Sequence, residues 1–176
     1  MVIPKLIPVL FSERLEMRGP QTVDFHTYRD FFADAEASHS YGGPMKPDSA
    51  WRVLATDIGH WALRGYGRWS IVERSTGKMV GGCGLWWPEG YPRSELTWWI
   101  IPSARRHGYA MEASRAAIAF GYDDLGWRLV ETHINDENVA ARKLIEKLGG
   151  FKISREPFPD GLERDIFSLP RPLTRE

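Results

Sequence analysis

The chain has 176 residues, and its 23 basic and 23 acidic side chains cancel to a formal net charge of zero. This length predicts one domain, residues 1–176, because domains usually hold about 100–200 residues. A protein that grips a nucleic-acid backbone usually has a basic excess, so we expect no nucleic-acid partner. No apolar run reaches the roughly 18 residues of a membrane-spanning helix, so we also expect no membrane partner.

Cysteine content and the first residues bear on location. Cys83 is the single cysteine and cannot form an internal disulfide, which fits a reducing compartment. The apolar stretch 1–10 is short, is broken by Pro4 and Pro8, and lacks a charged start, so it is not typical of a signal peptide. We therefore expect a cytoplasmic protein. The strand pattern around Cys83 favours a small buried side chain over a nucleophile.

Hydrophobic periodicity and Gly/Pro clusters predict the elements. In chain order they are a strand at 14–18, a helix at 22–37, a loop at 40–48, a helix at 49–63, a hairpin of strands at 69–73 and 79–86, and a loop at 88–93. There follow a buried central strand at 95–101, a helix at 110–122, a strand at 128–134, a helix capped by Asn135 or Asp136, and strands at 151–154 and 164–169. This order predicts a mixed α/β (α+β) fold with helices on both faces of a sheet.

The junction between the central strand and the next helix is the most informative local pattern. A helix N-terminus exposes unpaired N–H groups and the positive end of a dipole, which together suit phosphate groups. Gly108 permits close approach of a ligand to the backbone, and Ala110 leaves the first turn uncrowded. Arg105, Arg106 and His107 add positive charge, although an ordinary basic loop before an amphipathic helix would look similar. The pattern is neither a P-loop nor a dinucleotide fingerprint.

Arg105-x-x-Gly108-x-Ala110 resembles the Arg/Gln-x-x-Gly-x-Gly/Ala signature with which GNAT acetyltransferases hold the pyrophosphate of acetyl-CoA. Further segments resemble the ribosomal-protein N-terminal-alanine acetyltransferase-like branch of that superfamily. They are Glu-Arg-Leu-Glu-Met-Arg at 13–18, Glu-Leu-Thr-Trp-Trp-Ile at 95–100, Gly-Tyr-Ala-Met-Glu-Ala at 108–113, Asn-Val-Ala-Ala at 138–141 and Glu-Lys-Leu-Gly-Gly-Phe at 146–151. They fall in the expected order and cover nearly the whole chain.

The resemblance implies a GNAT fold and an acetyl-CoA-dependent N-acetyltransferase. The fold would have a twisted, largely antiparallel sheet of six to seven strands and about four helices, splayed between the fourth and fifth strands. The acetyl group would pass directly to a primary amine, of a protein N-terminus or of a small molecule. Acetyl-CoA is then a cosubstrate, and no metal is expected because no His, Cys, Asp or Glu grouping has metal spacing. The residues implied for acetyl-CoA are Ile100, Ile101, Arg105, Arg106, His107, Gly108, Tyr109, Ala110 and Asn138.

Within that set, Ile100 and Ile101 would pair their main chain with the pantetheine arm. Asn138 matches an asparagine near the pantetheine, although it could equally be a helix cap. Two departures concern the proton for the leaving thiolate. Ala141 stands where the branch usually has serine, and no tyrosine follows Tyr122. These departures leave that role open and keep a second hypothesis, a GNAT-fold coenzyme A-binding module with little or no transferase activity.

An ammonium group must lose a proton before it can attack a thioester, so a base is required. Glu95 is the only acid in the central strand and is the predicted catalytic base. The alternatives are that Glu95 is solvated or paired with Arg93, and that Glu156 is the base. His133, in the middle of the next strand, is interpreted as structural.

Eight tryptophans include the adjacent pairs Trp86/Trp87 and Trp98/Trp99. Neighbours in a strand point to opposite faces, so one member of each pair is expected to face a cleft. The sequence does not choose between Trp86 and Trp87. The loops at 40–48, with Tyr41, and at 86–93 are expected to frame the acceptor, whose identity stays open. Exposed tryptophans could alternatively lie in a homodimer interface.

Overall fold

The structure is a computed structural model that describes residues 6–173. The first five residues of the apolar stretch at 1–10 therefore lie outside the described residues. The helices are α1 (Phe25–Ala33), α2 (Pro47–Arg64), α3 (Tyr109–Asp123) and α4 (Val139–Lys147). The strands are β1 (Leu10–Phe11), β2 (Leu15–Arg18), β3 (Arg68–Glu73), β4 (Lys78–Trp86), β5 (Glu95–Ile100), β6 (Val130–Ile134), β7 (Phe151–Pro157) and β8 (Glu163–Leu169).

The strands form two antiparallel sheets. Five strands pair in the order β1-β2-β3-β4-β5, and three pair in the order β6-β8-β7. The sheets meet at β5 and β6, where Thr132 Oγ1 donates to Leu96 O at 2.8 Å in place of a backbone ladder. These are the fourth and fifth strands predicted from the sequence, so the expected splay is confirmed. The one sheet expected from the sequence is divided at this splay, and it has eight strands in the described residues.

Glycines of β4 allow its close pairing with β5. A Cβ at Gly81 would lie 2.1 Å from Trp99 O, and a Cβ at Gly82 would lie 2.5 Å from Trp99 Nε1. Since real Cβ atoms do not approach so closely, only glycine fits at these two positions. The glycines therefore position Trp99 in the sheet immediately before the splay.

Helices cover both faces, as expected. One apolar cluster joins α3 and α4 to the sheet and includes Trp69, Ile118 and Ile145, all fully buried. The other joins α1 and α2 to β5 around Trp99, whose ring centroid lies 4.5 Å from that of Phe31 and 5.0 Å from that of Tyr28. The two clusters hold β5 between them, which makes it a rigid base for the splay.

Helix ends differ from the predicted ends for local reasons. The first helix stops at Ala33 because Asp34 is extended. Asp34 Oδ1 accepts the backbone N–H groups of Glu36 and Ala37, at 3.0 and 2.9 Å. α2 starts earlier than predicted, at Pro47, since proline suits the first helical position. Asn138, rather than Asn135 or Asp136, caps α4, and its Oδ1 accepts the Ala141 N–H at 3.1 Å.

Candidate active site

Two cavities adjoin at the splay. The first, here the Glu95 cavity, has a volume of about 570 Å³ and is lined by the start of β5, by β6 and by the loop after α1. The second, here the loop cavity, has a volume of about 690 Å³ and lies between the loop before α3 and α4. Five residues line both cavities: Ser40, Tyr41, Trp98, Asn138 and Ala141. A group held in one cavity can therefore meet a group held in the other.

Glu95 and His133 form a close pair in the first cavity. Glu95 Oε2 lies 2.9 Å from His133 Nε2, and the two side chains are only 12% and 8% exposed. His133 Nε2 is buried and has no aligned hydrogen-bond partner in the described residues. The sequence favoured a structural role for His133, but the splay turns this residue of β6 towards the strand that carries Glu95. The pair offers a carboxylate and an imidazole to a proton on a bound amine.

The contacts of Arg93 bear on two alternatives, that Glu95 pairs with Arg93 and that Glu156 is the base. Its guanidinium binds Glu131 and Glu156, each at 2.6 Å, and so does not pair with Glu95. Hydrogen bonds from Arg93 hold the pKa of the Glu156 carboxyl below its ordinary value. Glu156 is also absent from the lining of both cavities. The geometry therefore favours Glu95 over Glu156.

The tryptophan pairs divide as the strand period predicts. Trp86 lines the Glu95 cavity, stacked on His60 with 4.2 Å between centroids and with the Arg68 guanidinium 4.1 Å from its ring centre. Trp87 lines neither cavity, and its Nε1 donates to Tyr91 O at 2.9 Å. In the second pair, Trp98 lines both cavities and its neighbour in sequence is fully buried. Trp86 is thus the member that an acceptor would touch.

The loop before α3 has the backbone shape of an anion site. Arg106 has a φ of +66° and Gly108 a φ of +83°, and both lie in the left-handed region. Gly108 is the N-cap of α3 and no side chain caps the helix, so its first N–H groups remain available to a ligand. A non-glycine residue in this conformation is strained, and such strain is concentrated at ligand sites.

Arg14 of the Glu-Arg-Leu segment braces that loop. Its Nε and backbone N–H donate to the Glu112 carboxylate, both at 2.8 Å, and its Nη1 donates to His107 O at 2.8 Å. Its guanidinium also lies 4.8 Å from the Tyr109 ring centre. Two segments noticed separately in the sequence, 13–18 and 108–113, are thus joined in space through the Arg14–Glu112 pair.

The predicted acetyl-CoA residues are largely brought together. Seven line the loop cavity: Ile100, Arg105, Arg106, Gly108, Tyr109, Ala110 and Asn138. Ile101 and His107 do not. The Ile101 N–H already donates to Val80 O at 2.9 Å. The His107 ring stacks on the Tyr109 ring, with 5.7 Å between the ring centroids.

The β5 edge that faces the splay carries the main-chain groups a ligand could use. Leu96 O, Trp98 O and Ile100 O accept hydrogen bonds from Thr132, Tyr41 and Arg105 respectively, none of which belongs to β4. In an antiparallel strand the N–H and C=O of one residue point to the same side. The N–H groups of Trp98 and Ile100 therefore also face the splay.

Two lysines of α4 were not recognised as site residues from the sequence. Lys143 and Lys147 line the loop cavity together with Arg105 and Arg106, against a single acidic residue, Glu36. Their spacing of four residues puts them on one helix face, and this was the available signal. The loop cavity is therefore strongly basic.

Cys83 is unavailable for covalent chemistry. Its side chain is fully buried, and burial raises the pKa of the thiol to about 12. Across residues 6–173, no three His, Cys, Asp or Glu side chains are grouped as a metal ion would require.

The family model of the acetyltransferase (GNAT) domain matches residues 14–150 of this chain. The chain belongs to the GNAT acetyltransferase family. The matched segment contains β5, which lines both cavities, the loop before α3 and the whole of α4. The resemblance to the GNAT superfamily drawn from the sequence motifs is confirmed.

Known proteins resemble this member of the GNAT acetyltransferase family over most of its length. The Bacillus subtilis (strain 168) protein named "Uncharacterized N-acetyltransferase YoaA" is 24% identical over 147 residues, which are 82% of this chain and 83% of that protein. An acetyltransferase structure from Agrobacterium tumefaciens str. C58 is 28% identical with a TM-score of 0.84, covering 96% of this chain and 97% of the other.

The ribosomal-protein-S5-alanine acetyltransferase of Vibrio fischeri shares the fold, with a TM-score of 0.68 at 13% identity over 92% of this chain and 94% of the other. No helix among residues 6–173 combines the length and the apolar composition needed to cross a membrane.

Proposed function

We propose that this chain is an acetyl-CoA-dependent N-acetyltransferase that moves the acetyl group directly to a primary amine. The observation that carries the proposal is the meeting of two chemically different cavities at the splay. The loop cavity offers backbone N–H groups and cations, and the Glu95 cavity offers a buried carboxylate beside an imidazole. That arrangement suits a polyanionic donor on one side and a cationic acceptor on the other.

The loop cavity fits coenzyme A by charge and by hydrogen bonding. Its pyrophosphate needs donors, and the uncapped N-terminus of α3 and the left-handed residues Arg106 and Gly108 supply N–H groups. Lys143 and Lys147 add charge along the opposite wall. The N–H groups of Trp98 and Ile100 are the main-chain donors left for the pantetheine arm.

The Glu95 cavity fits a compact amine. Its volume of about 570 Å³ lies in the range of small-molecule sites. Arg164, in its wall, is already paired with Asp160, and Arg68 with Asp57, while the ion-pair partner of Glu95 within residues 6–173 is His133 alone. An ammonium group is therefore drawn to Glu95. Both a protein N-terminus and a small-molecule amine present such a group.

The same residues define the reaction. Glu95, with His133, takes the proton that the ammonium group must lose, and the free amine then attacks the thioester carbonyl. Burial of Cys83 removes the one thiol that could carry the acetyl group, which supports transfer without an acetyl-enzyme.

We further propose that residues 1–176 form one domain and that the protein is cytoplasmic. We also propose that exposed tryptophan side chains lie in a homodimer interface, which light scattering would test.

Two measurements test the function. Isothermal calorimetry should detect coenzyme A binding to the purified chain, and a thiol-release assay with a panel of primary amines should show turnover of acetyl-CoA. Binding without release for any amine, including N-terminal peptides, would instead favour the coenzyme A-binding module.

Trp86 is expected to control acceptor binding. Trp86→Ala removes an aromatic surface from the Glu95 cavity, and we expect the KM for the acceptor to rise about tenfold, the equivalent of one aromatic contact. The KM for acetyl-CoA should change little, because Trp86 does not line the loop cavity. Trp87→Ala is the matched control and should leave both constants near their wild-type values. Equal effects of the two substitutions on both substrates would contradict this assignment.

A further inference from the structure

The leaving sulfur of acetyl transfer has no side-chain donor at the position where the family motif would place one. When an amine attacks a thioester, the C–N bond forms, the C–S bond breaks and the electron pair leaves with the sulfur. The negative charge on that sulfur is stabilised by a hydrogen-bond donor that the protein holds in place. Ala141, which lines both cavities, has no donor on its side chain, and no tyrosine lies beyond Tyr122.

The structure brings a phenol to this place from a distant part of the chain. Tyr41 lies in a short 3-10 helix, His39–Tyr41, between α1 and α2. Its hydroxyl donates to Trp98 O at 2.6 Å, across 57 residues of sequence. Trp98 O belongs to the β5 edge that faces the splay, so the hydroxyl sits where the two cavities adjoin.

We infer that Tyr41 is the hydrogen-bond donor to the departing sulfur, and this inference rests on the proposed function. The ammonium group loses one proton to Glu95 before attack, and the nitrogen loses a second proton to Glu95 as the C–S bond breaks. Glu95 passes each proton to solvent. The sulfur leaves with its electron pair, the Tyr41 O–H turns from Trp98 O to bind it, and the thiolate then takes its proton from solvent. The transfer requires no oxidant, reductant or reactant other than the amine, acetyl-CoA and solvent.

Two other polar residues shared by the two cavities, Ser40 and Asn138, are weaker donors. Ser40 is exposed, so water competes for its hydroxyl. Asn138 uses Oδ1 to cap α4, which fixes its amide at the helix start. Tyr41 is held on three sides, because its N–H donates to Ser38 O at 2.8 Å, its hydroxyl binds Trp98 and its ring packs edge-on against Phe31 at 5.6 Å.

Burial raises the pKa of Tyr41 to about 12. A phenol with this pKa keeps its proton in neutral and mildly alkaline solution, so the donor form is present throughout that range. It also holds its proton more tightly than a thiol with an ordinary pKa of about 8.5. Tyr41 therefore stabilises a thiolate as a hydrogen-bond donor and keeps its own proton.

A binding experiment and a kinetic experiment together test this role. The thiol of bound coenzyme A is titrated by its thiolate absorbance, after subtraction of the ligand-free protein, in wild type, Tyr41→Phe and Tyr122→Phe. We expect bound coenzyme A to ionise about one pH unit higher in Tyr41→Phe than in wild type, because a charged hydrogen bond is lost. With an accepted amine, kcat should fall about 100-fold and the KM for the acceptor should change little.

Tyr122→Phe is the matched control, since its hydroxyl also donates to a strand carbonyl, Leu169 O at 2.7 Å, but lines neither cavity. It should match wild type in both experiments. A thiol titration that is identical in wild type and Tyr41→Phe overturns the inference and leaves the proposed function intact. Absence of turnover in wild type would overturn the proposed function, while the titration, which needs no acceptor, would still decide the role of Tyr41.

Discussion

Glu95→Gln is expected to lower kcat about 100-fold or more, the usual effect of losing a general base. Glutamine keeps the shape of the side chain, so the cavity stays intact, but it cannot accept the proton of the ammonium group. Glu95 does not line the loop cavity, so binding of acetyl-CoA should change little. Steady-state kinetics across pH, with calorimetry of coenzyme A, measures both effects. The acidic limb of the wild-type pH–rate profile should be lost.

Glu156→Gln is the matched control for that experiment. Glu156 is the second acid considered from the sequence, yet it binds Arg93 at 2.6 Å and lines neither cavity. We expect this variant to keep the acidic limb and most of its turnover. If Glu156→Gln loses turnover and Glu95→Gln does not, the base is misassigned. Because His133 lies 2.9 Å from Glu95, adding His133→Asn to Glu95→Gln should cost little more than the single change.

Gly108→Trp is expected to weaken coenzyme A binding about 100-fold or more. The residue has a φ of +83°, so any side chain strains the turn from which the N–H groups of α3 begin. An indole here also fills the space that the pyrophosphate would occupy. Loss of two hydrogen bonds to a charged group, at about 1.5 kcal/mol or more each, gives this factor. Calorimetry with coenzyme A is the measurement.

Gly77→Trp separates binding from strain. Gly77 is also left-handed, at +67°, but a Cβ there meets nothing within 4 Å and it lines neither cavity. Gly77→Trp should bind coenzyme A as wild type does. Gly108→Ala strains the same turn with a small side chain, whose Cβ would lie 3.4 Å from Arg14 Nη2, and we expect a smaller loss. A folded Gly108→Trp protein that retains wild-type affinity would show that this loop does not hold the pyrophosphate.

The sequence predicted the elements whose signals are local. The strand at Glu95–Ile100 and the helix at Tyr109–Asp123 differ from the predicted ranges by one residue at most at each end. Their apolar periods, Pro102 and Gly108 all lie within or beside the elements they define. β1 was not predicted, because its two residues, Leu10–Phe11, are too few to show a period. The division into two sheets was also missed, because the element pattern predicted one sheet and the family resemblance implied only a splay within it.

The sequence by itself determined the loop before α3 and the family, since both depend on short motifs, each made of residues close together in the chain. Only the tertiary structure decided what faces that loop across the splay. Glu95 meets His133, and Tyr41 meets Trp98, through contacts between segments far apart in sequence. Periodicity reports which face of a strand or helix is buried, whereas the partner on that face depends on how the elements pack. For that reason the acetyl-CoA residues could be proposed from motifs, while the choice of Trp86 over Trp87 and the position of Tyr41 could not.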